Sequence, residues 1–352
     1  MPMNETAATG TPGVVRRIAP LLLASIAISC GQESQPPTPV ERPPTLVLYA
    51  SVPAERVSDV ARAYAEETGV IVNYMVDTDQ VLIDKLIRKE HFPGADVLLI
   101  SGAGNLAQAV DENVLRPVAT PALERIAPAR RDPDGFWYAL GARAQMIVYD
   151  TRTVDGATLA GYAELAGETW AGRLCLERSL SERSRSLVAA LIAEHGERQA
   201  EIIVRGWRAN LAQSVFDEQH ALLEAIEAGR CAVGIVGSDA VARSVVRGAA
   251  THLGLHFPDA AHAGTQVQLL AAGVVRHAND PDGATQFLEW LASDAGQRAL
   301  HRQGFDYPTA AGVDAAAPID TWTGFDESPI GASRIGFIYP DAVLLVERAR
   351  YR

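Results

Sequence analysis

Four short polar segments, each where a strand-like run gives way to a helical one, are the residues of this chain best suited to chemistry. They are Ala50-Ser51, Ser101-Gly102-Ala103-Gly104-Asn105, the stretch Ser179 to Ser186 with Ser181 inside it, and Gly237-Ser238-Asp239. A strand-to-helix junction turns unpaired backbone N–H groups and the positive end of a helix dipole toward solvent, so serines and glycines there are suited to holding an anion. Each segment alone also reads as an ordinary helix cap. Two in each half of the chain point to a cleft. The sequence contains no GxxxxGK[ST], HExxH, GxSxG or CxxC motif, and no GxGxxG that opens a helix after a strand. A motif-based enzyme assignment therefore fails, and the expectation is ligand capture without catalysis and without a cofactor. Of the eight histidines, His252 and His256 are four apart, but they fall in a loop and a strand rather than on one helix face, which reads as surface rather than as a metal site.

The elements that must position these segments follow from periodicity. From Thr45 onward, short apolar β-rich runs alternate with helical patterns, which predicts crossover units around a mainly parallel sheet. Leu46 to Ala50, Val70 to Val76 and Ala95 to Ile100 read as strands. Between them lie a helix from Ala54 to Thr68, stopped by Gly69, and a second helix capped by Asp79. Past the turn at Asp132-Pro-Asp-Gly135 come two strand-like runs, Phe136 to Leu140 and Gln145 to Tyr149, then a second alternating block to about Asp259. Gln266 to Val275 is again strand-like, helices occupy about Pro281 to His301, and a last helix is predicted near Asp341 to Arg350.

Composition bounds the rest. A chain of 352 residues with 48% hydrophobic and 21% charged residues is a folded body of two or three domains. Its 31 basic residues against 43 acidic ones give 31 − 43 = −12, which repels phosphate backbones and argues against a nucleic-acid partner. Arg16 and Arg17, the apolar run Ile18 to Ile28 and Ala27-Ile28-Ser29-Cys30 have the layout of a signal peptide ending in a lipoprotein-type cleavage box. The run is too short to span a bilayer. The expectation is a signal peptide over 1–29, lipidation at Cys30 with plain secretion as the alternative, and a Pro-rich tether over 30–44. The membrane would then be touched only through lipid. In the oxidising compartment this implies, Cys175 and Cys231 are expected to form a disulfide, with two buried thiols as the alternative.

The order of motifs along Leu46 to Arg350 resembles the extracellular solute-binding proteins of ATP-driven importers, within them the ferric-ion-binding branch. The likeness rests on Ala95-Asp-Val-Leu-Leu99, Arg131-Asp-Pro-Asp-Gly-Phe-Trp-Tyr-Ala-Leu140, Arg143-Ala-Gln-Met-Ile-Val-Tyr149, Trp170-Ala-Gly-Arg-Leu-Cys175, Ala228-Gly-Arg-Cys-Ala-Val-Gly-Ile235, Ala271-Ala-Gly-Val-Val-Arg276, Phe287-Leu-Glu-Trp-Leu-Ala-Ser-Asp294 and Tyr307-Pro308. The resemblance implies an α/β, two-lobe periplasmic-binding-protein-like (type II) fold with a hinge and an interlobe cleft. Lobe 1 would be 45–141 plus 266–310, lobe 2 would be 142–265, and 311–352 would form a C-terminal helical segment packed on both. It also implies a monomer that works with a permease and an ATPase at the periplasmic face of the membrane, not an enzyme. Relatives chelate ferric ion with phenolates, commonly a tyrosine pair after the strand that here is Cys231 to Val236. This chain has Gly237-Ser238-Asp239-Ala240 at that place. Of the phenolate set Tyr149 matches, and Arg143 matches an arginine near the bound anion. The expected ligand is therefore a small anion such as a phosphonate, phosphate ester or carboxylate, held by Arg143 and by helix N-termini at Ser51, Ser101, Gly102, Ser179, Ser181, Ser238 and Asp239. Ferric iron, with a synergistic anion or as a chelate, is the alternative, with Tyr149 and Asp239 as its protein ligands. A sensory lipoprotein that binds without transporting is a further one.

Overall fold

The computed structural model describes residues 44–88, 94–310 and 312–352. The signal segment, Cys30 and the tether over 30–43 lie outside the described residues. The first half of the molecule follows the alternating pattern, but the sheets are mixed rather than mainly parallel, because residues 138–150 pair antiparallel with each of their neighbours. Strand β1 (Thr45–Ala50) is followed by helix α1 (Ala54–Thr68), β2 (Ile71–Val76), α2 (Asp79–Ile87), β3 (Val97–Ser101) and α3 (Ala103–Asp111). β1 pairs in parallel with β2 and β3. Gly69 ends α1 in the left-handed conformation at φ 75°, where a side chain would be strained, and its N–H closes on the Ala65 carbonyl. Asp79 is not the cap of α2. It is the helix's first residue, and Thr78 precedes it without a side-chain cap bond.

The two strand-like runs after the Asp132 turn are one continuous strand, β4 (Tyr138–Asp150). Gly141 and Ala142, which lack strand-forming side chains, hid its continuity. β4 is buried along most of its length and belongs to two sheets. Its first half, Tyr138 to Ala144, runs antiparallel to β8 (Val267–Val274), which in turn pairs with β3. Its second half, Gln145 to Tyr149, runs antiparallel to β6 (Val233–Gly237). The crossover is tied by the Gln145 N–H, which donates to the Gln266 carbonyl at 2.8 Å. Each half of the strand thus carries its own sheet and its own apolar core.

The second sheet is filled out by β5 (Leu174–Cys175), parallel to β6, and by β7 (Leu253–His256), antiparallel to β4. Helices α4 (Glu182–His195), α5 (Glu197–Ala209), α6 (Gln219–Glu227) and α7 (Ser238–Val246) surround it. Trp207, Leu187, Val188, Leu191 and Ile235 anchor one core on its flank, and Leu222, Ile226, Met146 and Val236 anchor another. Cys175 and Cys231 form a disulfide with a Cα–Cα distance of 5.8 Å and a sequence separation of 56. Cys231 sits two residues before β6 rather than within it.

After β8 the chain returns to the first sheet through α8 (Pro281–Ala292) and α9 (Asp294–His301). Phe287 and Trp290 stack there, and Tyr64 meets both edge-on in a buried aromatic cluster. Strand β9 (Tyr307–Pro308) adds to β4 at Gly141 and Ala142. The last helix, α10 (Ala332–Arg348), begins nine residues before the predicted one and runs through Pro340. A proline inside a helix removes a hydrogen bond, so the sequence favours a start after it. Burial of Ile335, Ile338, Ala342 and Leu345 against α3 and α4 overrides that preference. The ordered body is therefore an α/β architecture of two sheets joined by β4, with α10 laid across helices of both.

Candidate functional site

The ends of β1, β3 and β6, the first turns of α2, α3, α4 and α7, and the middle of β4 carry a connected set of charged side chains. The set is built around Asp306, which is fully buried just before β9. The Arg56 Nη2 lies 2.7 Å from one Asp306 oxygen, and the Arg143 Nε donates to the other. Arg56 also donates through Nε to the Leu300 carbonyl at 3.0 Å. His301 gives its Nε2–H to the Leu140 carbonyl at 2.7 Å and turns Nδ1 toward Asp306 at 3.7 Å. Burial alone would raise the Asp306 pKa. The Arg143 and Arg56 guanidiniums outweigh it and hold the carboxyl well below the usual range.

Arg143 continues the network into the second half of the molecule. Its Nε is 3.9 Å from Asp239, which lies in the first turn of α7 and also meets Arg183 at 3.6 Å and Arg243. Desolvation would lift Asp239, yet Arg143, Arg183 and Arg243 together hold its pKa at about 2. For Arg143 the carboxylates Asp306 and Asp239 overcome the cost of burial and push its pKa up. Arg183 lies 3.9 Å from Glu177 on its far side. The close seating of Arg183 depends on Gly237, where a Cβ would lie 2.2 Å from the Arg183 Nη1.

A second group adjoins the first, since Arg143 also acts on Asp79. The Ser101 N–H donates to Asp79 at 2.8 Å, and the Ser51 hydroxyl lies beside the same carboxylate. Burial raises the Asp79 pKa despite both contacts. From the opposite wall, the first residue of α4, Glu182, accepts the Gly104 N–H of α3 at 3.1 Å and also accepts from Ser186 and from the Gln268 amide. Gly102, at φ +91°, leaves the space for this carboxylate, since a Cβ there would fall 2.0 Å from the Glu182 Cδ.

Several expected ligand residues are committed elsewhere. Arg143 gives its Nε to Asp306 and lies 3.9 Å from Asp239, so its charge is shared with two carboxylates of the chain itself. The Ser181 hydroxyl accepts the Ser184 N–H as the cap of α4. The Ser238 hydroxyl accepts the Ala144 N–H at 3.1 Å and pins α7 to β4. Ser179 is buried and offers its carbonyl to the Arg185 Nε. Tyr149 does not join the cluster. It lies six residues past Arg143, about 20 Å along an extended strand, with its hydroxyl against Gly156 and its ring against Gly254. The resemblance offered it as the matching phenolate, and distance along the strand separates it from Arg143. Ser51, Ser101, Gly102 and Asp239 do converge. The residues that sequence reasoning missed are Asp79, Glu182, Arg183, Arg56, Gln268 and Asp306. Asp79 and Glu182 each stand in the first helical turn next to a polar junction and could have been singled out. Arg183 lies in the same first turn as Glu182, and the other three are brought in by long-range packing.

Among the described residues, no group of three or more His, Cys, Asp or Glu side chains is arranged to hold a metal ion. The arrangement instead interleaves carboxylates with guanidiniums, which can meet a ligand that carries both negative oxygens and a compensating positive centre. The chain is 28% identical over 334 residues to iron uptake protein A1 of Synechocystis sp., with 92% of each covered. It is 30% identical over 321 residues to iron uptake protein A2 of the same organism, covering 88% of this chain and 90% of the relative. A solved structure of Trichodesmium IdiA (FutA), in complex with iron and citrate ligands, superimposes with a TM-score of 0.83 at 28% identity, covering 88% of this chain and all of that one. With residues 45–306 matched by the pattern described as bacterial extracellular solute-binding protein, the chain belongs to that family.

Proposed function

We propose that the chain is the solute-capturing component of an ATP-driven importer of ferric iron, and that it takes the metal as a carboxylate chelate rather than as the bare ion. The chain would be exported to the periplasm, held to the membrane by lipid on Cys30, and would act as a monomer with a permease and an ATPase, without catalysing a reaction itself. The observation that carries the cargo reading is the wall around Asp239, where the guanidiniums of Arg143, Arg183 and Arg243 gather on one carboxylate. A hard trivalent cation favours six oxygen-rich ligands. With three arginines on it Asp239 is a poor ligand for a naked cation, yet the wall suits the outer oxygens of a complex that brings its own donors. The relatives named for iron uptake, and the neighbour holding iron together with citrate, support the same cargo.

The test is a thermal-shift and metal-retention experiment with ferric citrate, citrate alone, a ferric salt kept soluble by a weak chelator, and a set of phosphonates and phosphate esters. Ferric citrate should raise the melting temperature, by about 2.7 kcal/mol of stabilisation at 100 times its dissociation constant. Iron and citrate should co-elute after desalting, without the strong visible band of phenolate-to-iron charge transfer. Stabilisation by a phosphonate or phosphate ester without iron would replace this reading with the small-anion one. A strongly coloured complex with iron alone would show that phenolates bind it after all.

A further inference from the structure

The Glu182 carboxylate bridges the two halves. It comes from α4 of the second sheet's half and sits on the N-terminus of α3, which belongs to the first. There it accepts the Gly104 N–H, the Gln268 amide and the Ser186 hydroxyl. Gly102 and Gly104 form its cradle, and a Cβ on Gly102 would overlap it. A helix N-terminus favours an anion, and here the chain supplies the anion from its opposite wall. A second observation shows that the contact leaves polar capacity unused. Gln268, nine-tenths buried, gives its NH2 to Glu182 while its Oε1 has no partner, and the buried Ser51 Oγ nearby is likewise without a hydrogen-bond partner of good geometry.

We propose that Glu182 is an internal latch: it occupies the cargo cleft as a stand-in carboxylate, holds the two halves together when the protein is unloaded, and must be displaced before a carboxylate-bearing cargo can enter. This deepens the proposed function at the same site. It rests on the two-lobe capture reading and on carboxylate chemistry in the cargo, but its first test needs no cargo at all. The groups that face the Glu182 carboxylate are Asp79 from α2, Gln268 from β8, Tyr339 from α10, and Ser186 from its own helix, with Arg185 bonded to Tyr339 rather than to it. None is a cation paired directly with it, so its anchorage is hydrogen bonding that a competing carboxylate can reproduce.

The experiment compares wild type, Glu182→Ala and Glu182→Gln in two measurements. Small-angle scattering of the unloaded proteins reads closure directly. Wild type should be compact, Glu182→Ala should have a larger radius of gyration, and Glu182→Gln should stay close to wild type, since an amide oxygen can accept the Gly104 N–H and a rotated Gln268 can accept the new NH2. Titration with ferric citrate reads the cost of opening. An apparent affinity is lowered by the fraction of protein that is not competent, so Glu182→Ala should bind about tenfold more tightly than wild type and Glu182→Gln about as wild type does. Equal radii of gyration in all three proteins would overturn the latch whatever the cargo is. Weaker ferric citrate binding by Glu182→Ala would also overturn it, by making Glu182 a cargo contact. Should no protein bind ferric citrate while the radii differ as expected, the latch stands and the iron reading falls.

Discussion

At the scale of single residues, the arginines and carboxylates of the cleft work on one another before they work on any ligand. Asp306 is flanked by Arg56 and Arg143 with no exposure to water. Deleting one partner of such a pair strands the others in a low-dielectric site, which typically costs about 3–5 kcal/mol. Asp306→Asn should therefore lower the urea midpoint strongly in the unloaded protein, as should Arg143→Ala. An Arg143→Ala protein with unchanged stability would show the network to be incidental. The pH response has a defined sign. Asp239 titrates at about 2 when folded, below the ordinary aspartate value of about 3.9. The stability it contributes is complete above the unfolded value and is lost as pH falls through the folded one. Acid unfolding followed by circular dichroism should show a component between about pH 4 and pH 2 that Asp239→Asn removes. Glu182 behaves oppositely, because burial raises its pKa.

At the scale of elements, the contacts that matter are those between elements far apart in sequence. Helices α3 and α10 approach closely because each turns a glycine to the other. A Cβ on Gly104 would lie 2.4 Å from the Tyr339 ring, and one on Gly336 would lie 2.7 Å from the Ala107 Cβ. Gly104→Ala should cost about 1–3 kcal/mol through forced repacking, measured by denaturant unfolding, although alanine is the better helix former. The burial of Tyr339 in this contact, together with Glu182, raises its pKa to about 12. In the second sheet, the Cys175–Cys231 crosslink joins the end of β5 to the segment entering β6. Closing a loop of this length is worth about 4 kcal/mol in the chain-entropy account. The Cys175→Ser/Cys231→Ser double variant should melt correspondingly lower, and wild type should show no reactive thiols at these positions in the native state.

At the scale of the whole molecule, β4 is the structural axis. One strand serves two sheets, so the two halves share a backbone at Ala144 and Gln145, and a hinge between them would bend there and at Gln266. The charge network runs along the same axis from α1 to α7, and α10 lies across both halves beside it. The cleft is thus framed by a shared strand, buried ion pairs and a strap, which suits an open–close motion with a definite closed state. Membrane attachment belongs to this scale too. If lipid on Cys30 tethers the protein, Cys30→Ser should move it from the membrane fraction to the soluble periplasmic fraction, and a wild-type protein already soluble would refute the anchor.

Local pattern was enough to recover the β1–α1–β2–α2–β3 order, the α/β class and the pairing of the two cysteines. These follow from period, turn chemistry and residue type, which act over a few neighbours. Tertiary structure alone decided that Phe136 to Tyr149 holds a single strand shared by two sheets, and that α10 continues through Pro340. It also decided that Tyr149 lies remote from Arg143, and that Arg143 is already claimed by Asp306, 163 residues away. The physical reason is the same in each case. A side chain's charge or a helix's propensity is set locally, but whether that charge is free depends on which distant groups packing brings within about 4 Å of it, and no local pattern records that.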